Sequence, residues 1–169
     1  MGKEKQGNSP SNSLESPVLL KEIDLVQNCI SRMARNSFLL KGWTVSLIGA
    51  IFVFSSGNLN AKVLFLIAAL TSFVTLVFWY LDAFFLHQER LYRKLYEWLL
   101  TVRPCGNYER AYDLNASRFS SEVDNISKVM WSKTLRAFYG SITLAALTLL
   151  FGILLFWITK FILEILFQC

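Results

Sequence analysis

Residues Val63 to Leu81, VLFLIAALTSFVTLVFWYL, run for nineteen positions without a charge. A helix rises about 1.5 Å per residue, so this run nearly crosses a hydrocarbon core of roughly 30 Å. Asp82 ends it, and the pattern turns amphipathic through FFLHQERLYRKLYEWLL, with neither Gly nor Pro before Pro104. One long helix over 63–100 is expected, leaving the membrane and continuing in water. The remainder of the chain must pack on its membrane half or hang from its soluble half. With 169 residues and 54% hydrophobic content, the chain is one small unit too apolar for an ordinary soluble fold.

Two more spans follow from the same reasoning. FLLKGWTVSLIGAIFVFSS, about 38–56, is the first. Lys41 lies one turn in, where its stem follows the apolar surface while the ammonium reaches the head groups. Trp43 suits the same interface. The connection SSGNLNA is made of turn formers, so spans over about 38–56 and 63–85 form an antiparallel hairpin within 38–86. Phe138 to Thr159 is twenty-two residues without a charge and makes the third span. Lys160 and FILEILFQC complete the segment 138–169.

Outside the spans the chain reads as helical and polar. Residues 1–16 are rich in Ser, Asn, Gly and Pro and are expected to be a disordered tail. The tail has no apolar core before Val18, so no secretory signal is expected there. Pro17 suits a first helical turn. Leu19, Ile23, Val26, Ile30 and Met33 then form one stripe of an amphipathic helix over 17–37. Such a stripe packs on the chain's own soluble helix or on a second copy. In the segment 87–137, Pro104 and Gly106 end the long helix. A short helix over 108–114 and a polar connection over 115–121 are expected next. Then SEVDNISKVMWSKTLRAF runs as a helix into the third span, with Ser120 or Ser121 as its cap and Asp124 completing a capping box.

Orientation follows from the cations. Residues 1–41 hold six Lys and Arg, the hairpin connection holds Lys62, residues 88–137 hold nine, and the end holds Lys160. The positive-inside rule puts the N-terminus and 88–137 in the cytoplasm, and the hairpin turn and C-terminus outside. The sequons Asn115-Ala116-Ser117 and Asn125-Ile126-Ser127 then face the cytoplasm and are discounted.

Lipid tails are as apolar as Leu, so spans associate where small residues let backbones approach. Gly42, Ser46 and Gly49 share a face in span one; Ala68, Ser72 and Thr75 do so in span two. Ser141, Ala145, Thr148 and Gly152 do so in span three. These stripes are expected to be contact faces. Asp82, at the inner end of span two, is expected to pair with Lys41, or failing that Arg35. Lys160 and Glu164, four apart, are expected to pair along their helix. An ion path or gate at these charges is the competing reading.

No catalytic pattern occurs: there is no H-E-x-x-H, G-x-S-x-G, phosphate loop or G-x-G-x-x-G. His87, the one histidine, reads as a satisfied or water-facing side chain. Cys29, Cys105 and Cys169 are far apart and form no C-x-x-C or Cys/His cluster, so reduced thiols are expected rather than a metal or disulfide framework. Glu89, Glu97 and Glu109 match no metal spacing. No enzyme, cofactor or metal is expected. The net charge of +5 follows the membrane rather than one basic face, so nucleic acid is not an expected partner.

RMARNSFLLKGWTVSLIGAIF at 32–52, FWYLDAFFLHQERLYRKLYEWL at 78–99 and SKTLRAFYG at 132–140 together resemble a family of small, largely uncharacterised bacterial membrane proteins. The pattern is R-M-x-x-N-S-F-x-x-K-G-W, then F-W-x-L-D, then E-R-L-x-R-x-L-Y, covering most of the chain after residue 20. The matching positions are Asn36, Lys41, Gly42, Trp43, Trp79, Asp82, Glu89, Arg90 and Arg93. The resemblance implies an inner-membrane protein with a compact cytoplasmic portion. Some similar small proteins sit beside anti-phage genes and act as membrane effectors.

The expected fold is therefore all-α, an integral membrane protein of three transmembrane helices with a helical cytoplasmic portion. The expected role is interaction: a membrane effector or sensor whose cytoplasmic helices receive a signal from a soluble partner. Its partners would be the bilayer, that soluble protein and further copies of the chain. A constitutive accessory subunit of a transporter or envelope complex, and a small oligomeric channel, stay open as alternatives.

Overall fold

The computed structural model describes residues 17–55, 57, 60–105 and 110–168, without the side chains of 161, 164 and 166–168. The tail over 1–16 and most of the hairpin connection lie outside the described residues, as does the side chain of Glu164, the partner expected for Lys160. Four α-helices follow in order: α1 (Pro17–Ser55), α2 (Ala61–Val102), α3 (Ile126–Met130) and α4 (Lys133–Gln168), with 3₁₀ turns at Arg103–Cys105 and Ala116–Phe119. The amphipathic stretch 17–37 and the first apolar span are one unbroken helix, since neither Gly nor Pro interrupts 18–41. The long helix over 63–100 is α2. Three helices are long and apolar enough to cross a membrane. Many of their large apolar side chains point outward: Phe54 is 90% exposed and Phe38 74%.

The chain divides into two compact units. The first comprises residues up to Arg35 together with Phe85–Asn125. Its core is Val26, Leu91, Leu95, Leu99, Ala116 and Phe119, with Ile30, Tyr92, Tyr96 and Trp98 packed around it. The spacing 91, 95, 99 is one helical face. Leu19 and Val26 are fully buried and Ile23, Ile30 and Met33 half-buried, so the stripe on α1 is used inside this unit. Each fully buried Leu or Val contributes roughly 1.5–3 kcal/mol.

Here the local structure departs from expectation three times. Of the short helix expected over 108–114, the described residues 110–112 form a turn and 113–114 no regular element. The polar connection winds into the 3₁₀ turn Ala116–Phe119, capped by Asn115, whose side chain accepts from the Ser117 amide. The helix expected from Ser121 begins only at Ile126 and breaks again at Trp131 and Ser132. Three contacts cause the break. The Trp131 and Ser132 amides turn back to Lys128 and Val129, three residues away. The Trp79 indole takes the Met130 carbonyl at 2.9 Å, and α4 restarts with Arg136 N–H on Ser132.

The second unit comprises Asn36–Phe84 and Ile126–Cys169. Its buried residues include Thr44 of α1; Ile67, Ala68, Thr71, Thr75, Trp79, Asp82 and Ala83 of α2; and Leu135, Tyr139 and Ala146 of α4. Only α2 buries its small-residue stripe, at Ala68 and Thr75. The stripes of spans one and three face outward: Gly42, Ser46 and Gly49, and Ser141, Ala145, Thr148 and Gly152, are all exposed. A Cβ added at Gly42, Gly49 or Gly152 would meet nothing within 4 Å. Residues with larger side chains, Thr44, Tyr139 and Ile142, take the inward positions instead.

Candidate functional site

The second unit closes around one carboxylate. Asp82 follows Thr71, Thr75 and Trp79 down the same face of α2, and it is fully buried. A carboxylate without water must be paired and hydrogen-bonded. Lys41 of α1 places Nζ 2.5 Å from Asp82 Oδ2, and it also donates to Ser37 Oγ at 3.1 Å. Ser37, four residues earlier on the same helix face, donates its hydroxyl to Asp82 Oδ1. Tyr139 of α4 donates its hydroxyl to Oδ2 at 3.1 Å. Each of the three apolar helices thus contributes to one polar knot. The Lys41 side chain keeps 24% of its surface, so the cation reaches the edge of the cluster while the anion does not.

Trp79 holds the knot's third helix in place. Its ring stacks on Tyr139 with centroids 6.1 Å apart and planes 13° from parallel. Trp131 meets it edge-on at 5.6 Å. With its indole on the Met130 carbonyl, Trp79 touches both sides of the break between α3 and α4.

The first unit has its own buried ion pair. Glu22 and Arg103 are 1% and 0% exposed. Arg103 donates Nε to Glu22 Oε2 at 2.7 Å and Nη2 to Oε1 at 2.8 Å, the planar fork that suits a carboxylate. The Tyr112 amide donates to Glu22 Oε1 at 2.6 Å, and Arg103 also donates to the Arg110 carbonyl at 2.6 Å. Tyr112 has φ of 63°, a left-handed conformation costly for a tyrosine. The carboxylate that captures its amide compensates that cost. Trp98 lies under two guanidinium groups, Arg118 at 4.1 Å and Arg103 at 5.3 Å. Burial pulls the Arg118 guanidinium below its ordinary range, against the pull of Asp113. Burial and the neighbouring Cys29 thiol push Tyr92 up.

Of the residues singled out in sequence, Asp82 and Lys41 come together, with Trp79 beside them. Arg35, the other cation considered for Asp82, is exposed on α1. Glu89 is buried and takes Arg93 at 2.7 Å along the helix, while Arg90 lies 3.6 Å from Asp124. His87 Nδ1 is 3.0 Å from the Asp124 carbonyl. Asn36 is half-buried, and Gly42, Trp43, Gly152 and Lys160 are exposed. The sequence reading missed Ser37, Tyr139, Glu22 and Arg103. Ser37 and Tyr139 were legible only as polar residues near span ends. Glu22 lies off the apolar stripe of its helix and is nevertheless buried. Among the described residues no cluster of three His, Cys, Asp or Glu side chains forms a metal site. No family model matches the chain, and no curated protein or solved structure is similar to it.

Proposed function

We propose that the protein is a bacterial inner-membrane protein that acts through interaction, receiving a signal from a soluble partner and passing it to its spans. One observation carries the reading: among the described residues, both fully buried carboxylates are closed within the chain. Asp82 is taken up by Lys41, Ser37 and Tyr139, and Glu22 by Arg103 and the Tyr112 amide. Groups so committed hold helices together; a general acid, base or metal ligand needs a free lone pair or an open position. What stays available is surface. The first unit carries a groove of about 450 Å³ with Ile30 and Tyr96 in its wall and Gln27, Ser31, Arg93 and Glu97 around it. A groove that mixes apolar, polar and charged side chains suits a peptide-like partner.

The positive-inside count orients the chain with its N-terminus and 88–137 in the cytoplasm. The resemblance to small membrane proteins found beside anti-phage genes makes a triggered membrane effector the specific form of this proposal. Reporter fusions active only outside should work at residue 58 and after residue 169, and fail at Asn115. Controlled expression with a potential-sensitive dye then tests the effector. Loss of potential on infection, absent in a strain carrying Arg93→Glu with Glu97→Arg in the groove, supports it. Unchanged potential under infection in the parent strain overturns it and leaves the accessory-subunit reading.

A further inference from the structure

The break between α3 and α4 carries a cationic corner. Lys128, Lys133 and Arg136 fall within the nine residues 128–136, and all three are exposed. Trp131, between them, is held edge-on by buried Trp79 at 5.6 Å and still keeps 64% of its surface. Lys133 and Arg136 are three apart in the first turn of α4, so they are neighbours on the helix surface. That placement is unfavourable, because a helix start carries partial positive charge and favours anions over cations. No acid in the first turn offsets it. No acid occurs anywhere from 125 to 163, and Asp82 is buried on Lys41, Ser37 and Tyr139. The corner thus holds cations against their local electrostatics, with no exposed carboxylate of α4 to neutralise them.

The chain that follows identifies the anion. Arg136 stands two residues before the uncharged run 138–159, which is long enough to cross a bilayer. The cations therefore lie at the depth of phospholipid phosphates, where an exposed Trp also belongs. A lipid meets both features at once: its phosphate takes the cations, and its glycerol and first methylenes take the indole and the apolar side chains beyond it. Resting on the membrane reading above, we propose that Lys133 and Arg136, with Lys128 and Trp131 beside them, bind the headgroup of an anionic phospholipid in the leaflet that α4 enters. Arg supplies a planar fork for phosphate oxygens and Lys a mobile point charge. Such a site gives the protein a lipid preference that needs no soluble partner.

The test gives the full chain in detergent equal amounts of phosphatidylglycerol and phosphatidylcholine with the same acyl chains. Native mass spectrometry then measures the lipid each protein retains, and phosphatidylglycerol should be in excess. One cation at a membrane surface contributes about fivefold to the binding of anionic lipid. Lys133→Gln with Arg136→Gln, checked for unchanged helix content, should therefore cut the excess about tenfold or more. The exchange Lys133→Arg with Arg136→Lys should keep it. So should Lys62→Gln, which removes an exposed cation at the start of α2. Equal retention of the two lipids overturns the site. An excess that survives the double Gln variant also overturns it, because net charge alone would then attract the lipid. Loss of the excess in the charge-conserving exchange overturns the role of charge at these two positions. Displacement of the lipid by an equal concentration of glycerophosphoglycerol, the headgroup without its chains, overturns the lipid assignment in favour of a soluble phosphate. The reporter fusions test the membrane reading separately, so its failure is distinguishable from failure of this site.

Discussion

Replacing Asp82 by Ala removes an anion with no surface of its own and leaves Lys41, Ser37 and Tyr139 without their shared acceptor. Breaking a buried pair by deleting one partner typically costs about 3–5 kcal/mol. Three hydrogen bonds to a charged acceptor, at roughly 1.5–3 kcal/mol each, would sum higher, but they share one group and do not add. Lys41 retains 24% of its surface and can turn toward head groups and water, which places Asp82→Ala at the low end, about 3 kcal/mol. Lys41→Met strands the carboxylate with two hydroxyl donors and should cost about as much. The double variant should cost about 4 kcal/mol, a coupling of about 2 kcal/mol. Unfolding of the purified chain in mixed micelles, followed by tryptophan emission as the denaturing detergent fraction rises, measures all four proteins. Trp79 stacks on Tyr139, so its emission reports on this cluster. An Asp82→Ala cost below about 1 kcal/mol, the range of an exposed pair, would refute the argument. So would a double variant equal to the sum of the singles.

Glu22→Ala should cost about 3 kcal/mol or more, because it leaves a fully buried guanidinium and the left-handed Tyr112 unsupported, and protease sensitivity between 103 and 115 should rise with it. Tyr92 is raised by burial and by Cys29, so the folded chain holds its phenolic proton longer than the unfolded chain. That contribution is complete below about pH 10 and is lost as pH rises through the folded value. Denaturation midpoints should therefore fall more steeply above pH 10 in the parent than in Tyr92→Phe. Gly152→Leu should leave the unfolding of the single chain unchanged within about 0.5 kcal/mol, since its Cβ meets no neighbour. Fewer cross-linked ladders in native membranes for that variant would show that this face contacts another copy.

The length and apolarity of three segments were legible at once, because hydropathy is a local property of nineteen or more consecutive residues. The unbroken run from Ala61 to Val102 was legible for a related reason: no Gly or Pro interrupts it. The Asp82–Lys41 pair could be anticipated because a hairpin brings the ends of its two spans together. How deeply that pair lies could not be. A place at the end of a span suggests a partly exposed pair, worth no more than about 1 kcal/mol. Burial of Asp82 depends on Tyr139, which comes fifty-seven residues later from a third helix. Glu22 shows the same limit. Its place on α1, beside Lys21 and one position before Ile23, reads as a solvated face. Only the return of the chain through Arg103 and Tyr112 covers it. The small-residue stripes show a related limit: that of span two turns inward, while those of spans one and three face out of the chain. Spacing says which residues share a face, while which face turns inward is decided by the neighbours available, and here Thr44, Ile142 and Tyr139 filled the inward positions. Local pattern determines what each helix is; the surroundings that bury Asp82 and Glu22 exist only once distant parts of the chain have packed against them.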